Sequence, residues 1–333
     1  MSASQDVAKR AGVSPAVVSR VYNSDPTLRI SRETRERVLA AIADMNYVPR
    51  RAARALRMNI KSAITLVTPE PTSAMYAELI RGVEFAALRN DLQVVIAGAE
   101  TAFERPGWLT RMVEEGRTDG VLIQPTPHMS DEQRDELLNL RASVVTVLSG
   151  VAGLELPSVT LDDALGIRTA VDHLVDNGHR RIGFLGGAPG FESADRREQG
   201  FVDGLRSHRL DVRREWIVED GYLSTDGHTA IRRIWALPER PTAVVVANVN
   251  AAVGALAELH VMGATLPHDL SVVALHDVWY ADAVWPPLTT VKMPLFELGT
   301  AAVERLAQTD GAGETTISTP VPELIHRKSV RAE

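Results

Sequence analysis

The 333-residue sequence contains no cysteine, and aromatic residues make up only 5% of it. The lack of cysteine excludes disulfides, thiolate metal ligands and a cysteine nucleophile. No run approaches the roughly 20 apolar residues that a membrane helix requires. The N-terminal stretch MSASQDVAKR has neither the basic start nor the apolar core of a signal peptide. We therefore expect a cytoplasmic protein with no membrane partner.

Signatures of catalysis are also scarce. The nine histidines include no pair at metal-ligand spacing on one helix, and no Gly-x-Ser-x-Gly nucleophile elbow occurs. Gly183, Gly186 and Gly187 follow an apolar run and could cradle a phosphate, but glycines there more often form tight turns. Asp162 and Asp163 follow another run, where a helix cap is the commoner role of a carboxylate. We predict no catalytic residue, no metal site and no cofactor.

The composition is that of a folded protein large enough for two or three domains, because 45% of the residues are hydrophobic and 24% are charged. The net charge of −7 is unevenly distributed. Residues 1–60 contain eleven Lys and Arg against five Asp and Glu, a charge of +6, which leaves −13 for residues 61–333. This asymmetry indicates a nucleic-acid-binding head on an acidic body, although solvated helix faces would give similar counts.

Residues 6–23, DVAKRAGVSPAVVSRVYN, have the pattern of two short helices joined by a tight turn. Gly12 can adopt the left-handed conformation that ends the first helix. Ser14 can cap the second helix, and Pro15 suits its first position, where no amide hydrogen is needed. This pattern predicts a helix-turn-helix, which places its second helix in the DNA major groove. The candidate contacts to bases and phosphates are the polar residues of that helix, Ser19, Arg20 and Asn23.

A third helix is predicted over about 32–45, with Ser31 as its N-cap. Its predicted buried stripe is Val38, Leu39, Ile42 and Met45. Pro49 then ends this helix and begins another. Residues 50–58, RRAARALRM, are basic and favour a helix, but nine residues are too few for a stable isolated helix in water. We expect this segment to fold only when something holds it.

From residue 61, short apolar runs alternate with helical patterns. The runs are continuously apolar, as expected for parallel strands that are buried on both faces. We predict an α/β fold with two parallel sheets covered by helices, and a cleft between the sheets as the default ligand site. The predicted strands are 63–67, 94–97, 120–123, 144–148, 159–161, 182–185, 243–247 and 271–275.

Several segments carry a family resemblance. In the N-terminal part they are Asp6-Val7-Ala8, Ala11-Gly12-Val13-Ser14, Val18-Ser19-Arg20-Val21, Thr34-Arg35-Glu36-Arg37-Val38 and Asn46-Tyr47-x-Pro49. Later landmarks are Asp172-His173-Leu174, Arg197-x-x-Gly200-Phe201 and Pro287-Leu288-Thr289-Thr290-Val291. With these segments the chain resembles the lactose/galactose repressor (LacI/GalR) family over its full length, with one small loop difference in the head. The core of that family is similar to periplasmic sugar-binding proteins.

The resemblance implies a helix-turn-helix head over residues 1–48, a hinge helix over 49–60 and an effector-binding and dimerisation core over 61–333. The implied core has subdomain 1 at about 61–160 and 292–320, and subdomain 2 at about 161–291 and 321–333. In that family the head binds operator DNA as one half of a homodimer, and the two hinge helices enter the minor groove. On this resemblance Leu56 opens the central base step, although it could instead be the apolar face of a linker helix.

The predicted DNA-binding set is Ser14, Pro15, Ala16, Ser19, Arg20, Asn23, Tyr47, Arg50, Arg54 and Leu56. Pro15 and Ala16 occupy the positions that distinguish one operator from another in the family, and neither side chain offers a hydrogen bond. They can contact a thymine methyl or leave room for Arg20 to reach a guanine, a contact worth about 1–3 kcal/mol of discrimination.

The effector site is predicted at the C-terminal ends of strands, which line the cleft in sheets of this kind. By the resemblance, Arg197 has the position of a ligand-gripping arginine, and Tyr222 that of an aromatic residue that stacks on a sugar or base. The predicted effector-binding set is Met75, Tyr76, Gln124, Ser149, Arg197, Tyr222, Asn248, His276 and Asp277. Structural roles stay open for its members, as ion pairs, helix caps or parts of the core.

The site departs from the family at Ser149, Val249 and His276, where acidic residues are common. Fewer carboxylates and an added imidazole make this site less like a plain neutral-sugar pocket, because carboxylate acceptors usually hold sugar hydroxyls. We expect a sugar or glycoside as the effector, with an acidic or aromatic molecule as the alternative.

Together these patterns predict a transcriptional repressor that binds a palindromic operator as a homodimer and changes its operator affinity when a small molecule binds. We expect it to be cytoplasmic and nucleoid-associated, and not to be an enzyme. Two other functions are open: a sugar-binding receptor for transport, and an enzyme with a regulatory DNA-binding head. The basic head counts against the receptor, and the scarcity of catalytic signatures counts against the enzyme.

Overall fold

The structure is a computed structural model that describes residues 3–22, 25–45, 47, 63–126, 129–151, 153–308 and 313–332. The chain divides near residue 61 into two compact units. The predicted hinge over 49–60 and four predicted DNA-binding residues lie outside the described residues. These four are Asn23, Arg50, Arg54 and Leu56.

The described part of the N-terminal unit folds into three helices, α1 (Ala3–Ala11), α2 (Pro15–Tyr22) and α3 (Arg32–Asp44). Gly12 has a φ of 66°, a conformation that glycine adopts without strain, so the chain turns sharply between α1 and α2. The hydroxyl oxygen of Ser14 accepts from the amide of Val17 at 3.4 Å, and that of Ser31 accepts from the amide of Thr34 at 3.1 Å. Both predicted caps are confirmed.

All three helices contribute to the core of this unit, which consists of Val7, Ala8, Ala11, Val18, Val21, Val38 and Ala41. On α3, Val38 is buried and Ile42 is partly buried, as predicted. Leu39 and Met45 were predicted wrongly, because they are 47% and 39% exposed. Leu39 lies about 100° around the helix from Val38, so it points away from the core. Met45 lies one residue beyond the end of α3.

The described part of the C-terminal unit contains two six-stranded sheets. The first sheet comprises β1 (Ala63–Thr68), β2 (Gln93–Gly98), β3 (Gly120–Ile123), β4 (Ser143–Val147), β5 (Ser158–Leu161) and β11 (Glu314–Ile317). The second comprises β6 (Ile182–Gly186), β7 (Ile217–Glu219), β8 (Ala243–Val246), β9 (Ser271–Leu275), β10 (Thr289–Lys292) and β12 (Glu323–Ile325). The strand orders are β11-β5-β4-β3-β1-β2 and β12-β10-β9-β8-β6-β7. Only the pairing of β12 with β10 is antiparallel among the described strands, so the predicted α/β fold is confirmed.

All eight strands predicted from apolar runs are present, and each boundary lies within one residue of its prediction. The sequence patterns missed β7, β10, β11 and β12. These strands have only three or four residues each, and β11 and β12 lie at sheet edges, where burial is low. A short, exposed strand carries no continuous apolar run for sequence reasoning to detect.

Helices cover both sheets. They are α4 (Ala77–Arg89), α5 (Ala99–Glu104), α6 (Trp108–Glu114), α7 (Asp131–Asn139), α8 (Asp163–Asp176), α9 (Glu192–Ser207), α10 (Ser224–Trp235), α11 (Val249–Val261) and α12 (Leu295–Leu306). Three helix pairs approach closely at glycines: a β-carbon at Gly82 would overlap the Phe296 carbonyl, one at Gly200 the backbone of Ala164, and one at Gly227 the Ala251 carbonyl. Within the described residues, no helix has the length and apolar character to cross a membrane.

The described chain passes between the two sheets at three places. After β5 of the first sheet it enters α8, which packs on β9 and β10 of the second. After β10 it enters α12, which packs on β3, β4 and β5 of the first sheet. After β11 it returns to the second sheet as β12. Each sheet with its helices therefore forms a subdomain, and the short crossing segments are the places where the two subdomains can move relative to each other.

Candidate DNA-binding face and effector cleft

The candidate DNA-binding residues of the head lie on one side of α2. Val18 and Val21 point into the core of the head. Because an α-helix has 3.6 residues per turn, the opposite face carries the other side chains to solvent. The predicted contact residues there are all exposed: Ser14, Pro15, Ala16, Ser19 and Arg20. The sequence therefore folds into a helix whose outer face is available to a groove of DNA.

Tyr47 and Arg20 are both held by neighbours within the head. The ring of Tyr47 makes an edge contact with Tyr22, with 6.3 Å between ring centroids. The guanidinium of Arg20 donates to Asp25 at 2.7 Å and to Thr27 at 2.9 Å. Hydrogen bonds from Arg20 and Thr27 lower the pKa of Asp25 to about 2, so this carboxylate stays ionised at neutral pH.

In the C-terminal unit, a buried ion pair organises the predicted effector residues. Arg197, on α9, is only 4% exposed. Its Nε donates to Asp163 Oδ1 at 2.7 Å, its Nη1 donates to the carbonyl of Ala247 at 2.9 Å, and its Nη2 lies 3.2 Å from His276 Nε2. Burial is the largest single influence on the pKa of Arg197 and would lower it, but the charge of Asp163, the hydrogen bond to that carboxylate and the neighbouring tyrosines together raise it. The guanidinium is therefore charged.

Asp163 accepts hydrogen bonds on both carboxylate oxygens. Its second oxygen accepts from Nε and Nη2 of Arg196 at 3.1 and 2.8 Å. The helix-cap interpretation of the two adjacent carboxylates is right for Asp162, whose Oδ1 accepts from the amide of Leu165 at 2.8 Å. It is wrong for Asp163, which is 1% exposed and pairs with the buried guanidinium of Arg197 and the half-buried guanidinium of Arg196.

His276 is completely buried, and it carries an unused hydrogen-bond donor. A guanidinium can only donate, so His276 Nε2 accepts from Arg197 and the imidazole proton lies on Nδ1. Nδ1 has no hydrogen-bond partner. Burial, together with the neighbouring charge of Arg197, holds the pKa of His276 well below its ordinary value, so the ring is neutral at pH 7. Among the described residues, this N–H is a buried donor that meets no acceptor.

The backbone is strained where two strands end beside the cleft. His276 follows β9 with a φ of 70°, and Leu148 follows β4 with a φ of 67°. The two strands occupy equivalent places in the orders of the two sheets. A residue other than glycine in this conformation costs on the order of 1–3 kcal/mol, and such residues cluster at ligand sites and switch regions.

Direct hydrogen bonds join the two subdomains across the cleft. The amide of Gly150, after β4, donates to Glu192 Oε2 on α9 at 2.8 Å. The side chain of Asn250, on α11, donates to Ser73 Oγ at 2.8 Å. Two further contacts of this kind are Arg196 Nη2 to the Leu148 carbonyl at 2.7 Å and Asn248 Nδ2 to the Met75 sulfur at 3.4 Å. The cleft is therefore closed in this structure.

A small cavity of about 40 Å³ lies between the subdomains at this edge. It is lined by Pro125, Thr126, Arg134, Ser149, Gly150, Val151, Gly190 and Phe191. A volume of this size holds a few water molecules at most. A molecule as large as a sugar can enter only when the cross-cleft hydrogen bonds open.

Other predicted effector residues lie near this group. Tyr76 and Gln124 are both buried, and the tyrosine hydroxyl donates to Gln124 Oε1 at 2.7 Å; burial raises the pKa of Tyr76. The ring of Tyr222 lies 5.3 Å from the Arg197 guanidinium. Its hydroxyl occupies the space that a β-carbon at Gly187 would need, so this glycine makes room for a tyrosine and does not form a turn around a phosphate.

Asp277 is engaged elsewhere. Its Oδ1 accepts from Arg327 Nη1 at 2.7 Å and from the hydroxyl of Thr290 at 2.6 Å. These contacts tie the end of β9 to β10 and to the C-terminal segment. They give the Asp277 carboxylate a structural role that requires no ligand. A role for Asp277 in effector binding stays a prediction.

Sequence reasoning missed three residues of the cleft: Asp163, Arg196 and Glu192. Glu192 and Arg196 are four residues apart, so they lie on one face of α9 next to Arg197, and this spacing could have revealed them. The charged groups among these residues largely neutralise one another. Within the described chain, no three His, Asp or Glu side chains are grouped so that they could hold a metal ion.

Replacement of Asp163 by Asn should destabilise the core by about 3–5 kcal/mol, because it leaves the buried charge of Arg197 unpaired. The matched control is Asp162→Asn, which should have little effect because asparagine caps helices as well as aspartate does. Urea unfolding of both variants checks the difference. Equal unfolding free energies for the two variants would contradict the proposed importance of the buried pair.

His276 should make the core less stable as the pH falls. Its folded-state pKa is lowered, so below about pH 6.5 the unfolded chain binds a proton that the folded chain does not. The expected loss is up to about 1.4 kcal/mol per pH unit. Urea unfolding at pH 7.5 and pH 5.5 should show a smaller loss for His276→Gln than for the wild type, whereas the control His260→Gln, at an exposed position, should behave as the wild type. Equal losses in all three proteins would refute the neutral buried imidazole.

Comparison with known proteins identifies the family. Residues 5–50 match a family model described as bacterial regulatory proteins, lacI family, and residues 171–330 match a periplasmic binding protein-like domain. The HTH-type transcriptional repressor PurR of Mannheimia succiniciproducens is 32% identical over 336 residues, which cover 99% of each chain.

Solved structures agree. A LacI family transcriptional regulator from Mycobacterium smegmatis is 35% identical, with a TM-score of 0.74 over 81% of this chain and 99% of that one. The Lac repressor dimer bound to operator and the anti-inducer ONPF is 26% identical, with a TM-score of 0.80 over 98% of each chain. These relatives are transcriptional regulators, which sets aside the transport-receptor and enzyme alternatives. The chain therefore belongs to the lacI family of bacterial transcriptional regulators, and it is a DNA-binding regulator controlled by an effector in its core.

Proposed function

We propose that the chain binds a palindromic operator as a homodimer and represses transcription from it. In this proposal, residues 1–48 are the DNA-binding head, 49–60 the hinge helix, and 61–333 the core with the two subdomains described above. The observation that carries the proposal is the exposed outer face of α2, on a head whose charge is positive while the core is negative. The site of action would be the nucleoid in the cytoplasm.

On this outer face, Pro15 and Ala16 would contact thymine methyl groups, and Arg20 would read a guanine. Ser14 and Ser19 would bind phosphates through their hydroxyls. Tyr47 completes the proposed set among the described residues. Outside the described residues, the proposed contacts are Asn23, Arg50, Arg54 and the minor-groove wedge Leu56.

A second copy of the chain would cover an apolar surface on the first subdomain. On α4, Phe85 is 47% exposed and Leu88 is 77% exposed. Helix α4 packs beside the edge strand β2, where Ile96 is 43% exposed. Soluble proteins seldom leave an apolar helix face beside an unprotected sheet edge. Dimerisation itself has support from the Lac repressor relative, which is a dimer bound to operator.

The cleft would bind an uncharged effector, a sugar or glycoside. Its ionised groups already pair with each other, so an anionic ligand would have to compete with Asp163 for Arg197. The remaining groups are neutral: the Nδ1–H of His276, Gln124, Ser149 and Asn248. These groups suit ligand hydroxyls, and Tyr222 offers a ring for stacking. The imidazole expected to favour an acidic effector is uncharged, which weakens that alternative.

Effector binding would act on the cross-cleft hydrogen bonds. A ligand that fits between the subdomains binds better to an arrangement in which these bonds are rearranged, so it shifts the population between the two arrangements. In a dimer, the spacing between the two heads would change with it. The affinity for a palindrome, which requires both heads at a fixed spacing, would change as well.

Selection from random DNA, followed by fluorescence anisotropy, tests the proposal. We expect a palindromic site and an affinity that falls about tenfold or more between 50 and 200 mM salt. Leu88→Glu should be monomeric in sedimentation and should lose at least about 100-fold in operator affinity, because each head then binds alone. The control Leu138→Glu, at an exposed leucine on α7, should stay dimeric. No selected site, or a dimeric Leu88→Glu protein, would refute the proposal.

Thermal shift with a panel of metabolites tests the effector class. Neutral glycosides should raise the melting temperature, while sugar acids and purine bases should not. Ser149→Ala should weaken binding by about 3–10-fold, the usual effect of one lost hydrogen bond, whereas Ser207→Ala, at the end of α9, should not. If only sugar acids or purines raise the melting temperature, the effector belongs to the alternative class of acidic or aromatic molecules.

A further inference from the structure

Arg20 is tied to the loop that follows α2. Its Nε donates to Asp25 Oδ2 at 2.7 Å, and its Nη2 donates to Thr27 Oγ1 at 2.9 Å. Two separate acceptors therefore grip one edge of the guanidinium plane. A long arginine side chain with one contact could still rotate, but two contacts on the same edge fix both the position and the orientation of the plane.

Residues 25–30, which include the two partners of Arg20, are anchored by further contacts within the head. Asp25 Oδ1 accepts from both the amide and the hydroxyl of Thr27, at 2.8 Å each. The amide of Asp25 donates to the carbonyl of Arg20 at 3.0 Å. The loop is anchored to the head because Leu28 and Ile30 pack against its core. Asp25 and Thr27 therefore connect the outer face of α2 to the hydrophobic core.

The remaining edge of the guanidinium has the geometry that reads guanine. Guanine presents O6 and N7 in the major groove, and arginine binds them with two parallel N–H groups. Asp25 and Thr27 use Nε and one hydrogen of Nη2, so the end of the group, Nη1 with Nη2, is the fork directed away from the loop. Because Pro15 and Ala16, at the start of α2, offer no hydrogen bonds, this fork in the last turn of the helix supplies the directional base contact.

We propose that Asp25 and Thr27 are positioning residues for base recognition: they hold Arg20 so that its end-on fork reads a guanine, and they thereby set specificity. The inference rests on the proposed operator binding. A pre-ordered arginine loses less conformational freedom when it meets the correct base. The carboxylate also repels phosphates, so it weakens binding to unrelated DNA. Both effects increase the ratio of specific to non-specific affinity.

The test measures this ratio with the full-length chain. Affinity is compared for the selected operator, for the same operator with the recognised G·C pair replaced by A·T, and for unrelated DNA, at two salt concentrations. Asp25→Ala should lower the preference for G·C about tenfold, the effect of one charge-assisted contact. Thr27→Val, which removes one of the two contacts at an exposed position, should lower the preference about threefold.

The matched control is Asp44→Asn. Asp44 forms an exposed ion pair with Arg10 at 2.8 Å on the same head, so this variant removes one negative charge without touching Arg20. It should strengthen binding to all DNA alike and leave the preference for G·C unchanged. Arg20→Ala should abolish the preference, and adding Asp25→Ala to it should have no further effect on the preference.

Two results would overturn the inference. Asp25→Ala could change the affinities for all three DNAs by the same factor, as expected for Asp44→Asn. In that case Asp25 would act only through its negative charge. Asp25→Ala could instead increase the preference for G·C, which would mean that the loop withholds Arg20 from DNA. A wild type with no preference for any sequence is a different outcome, because it would remove the proposed function itself.

Discussion

The core depends on one buried carboxylate. Asp163 is enclosed at the start of α8 and pairs with Arg197 on α9, which in turn bonds the carbonyl of Ala247 after β8 and the ring of His276 after β9. A buried charge is tolerated only when it is paired and its hydrogen-bonding capacity is satisfied. Asp163 and Arg197 need all of their hydrogen-bond partners because both are buried. This requirement fixes two helices and two strand ends relative to one another.

The same ion pair also reaches the other subdomain. Arg196 binds the second oxygen of Asp163, and it donates to the carbonyl of Leu148 at the end of β4. Leu148 and His276 both hold strained backbone conformations, so small changes at either position release or store energy. A ligand acceptor that meets His276 Nδ1 acts on a group in contact with Arg197, which Asp163 and Arg196 link to Leu148 of the first subdomain. Ligand recognition and cleft closure can be coupled through these few hydrogen bonds.

The sequence was informative wherever structure is local. The turn at Gly12, the caps at Ser14 and Ser31, and eight strands follow from patterns within a few residues. It was uninformative where partners are far apart. Nothing near Asp163 distinguishes it from Asp162, because its partner Arg197 lies 34 residues away. Asp277 shows the same limit, since it pairs with Arg327, 50 residues further on. Long-range pairs decide which charged residues line a cleft and which only stabilise it.

Both units use the same physical device, a carboxylate that orients an arginine. In the core the pair is buried, so it is costly to break, and it holds two helices and two strand ends in place. In the head the pair of Asp25 with Arg20 is exposed, so it contributes little to stability. An exposed pair can still restrict the orientation of the arginine. Two hydrogen bonds on one edge of the guanidinium fix its plane, so the end formed by Nη1 and Nη2 points in one direction. Pro15 and Ala16 offer no hydrogen bonds, so under the proposed operator binding the orientation of Arg20 matters most for the choice of base.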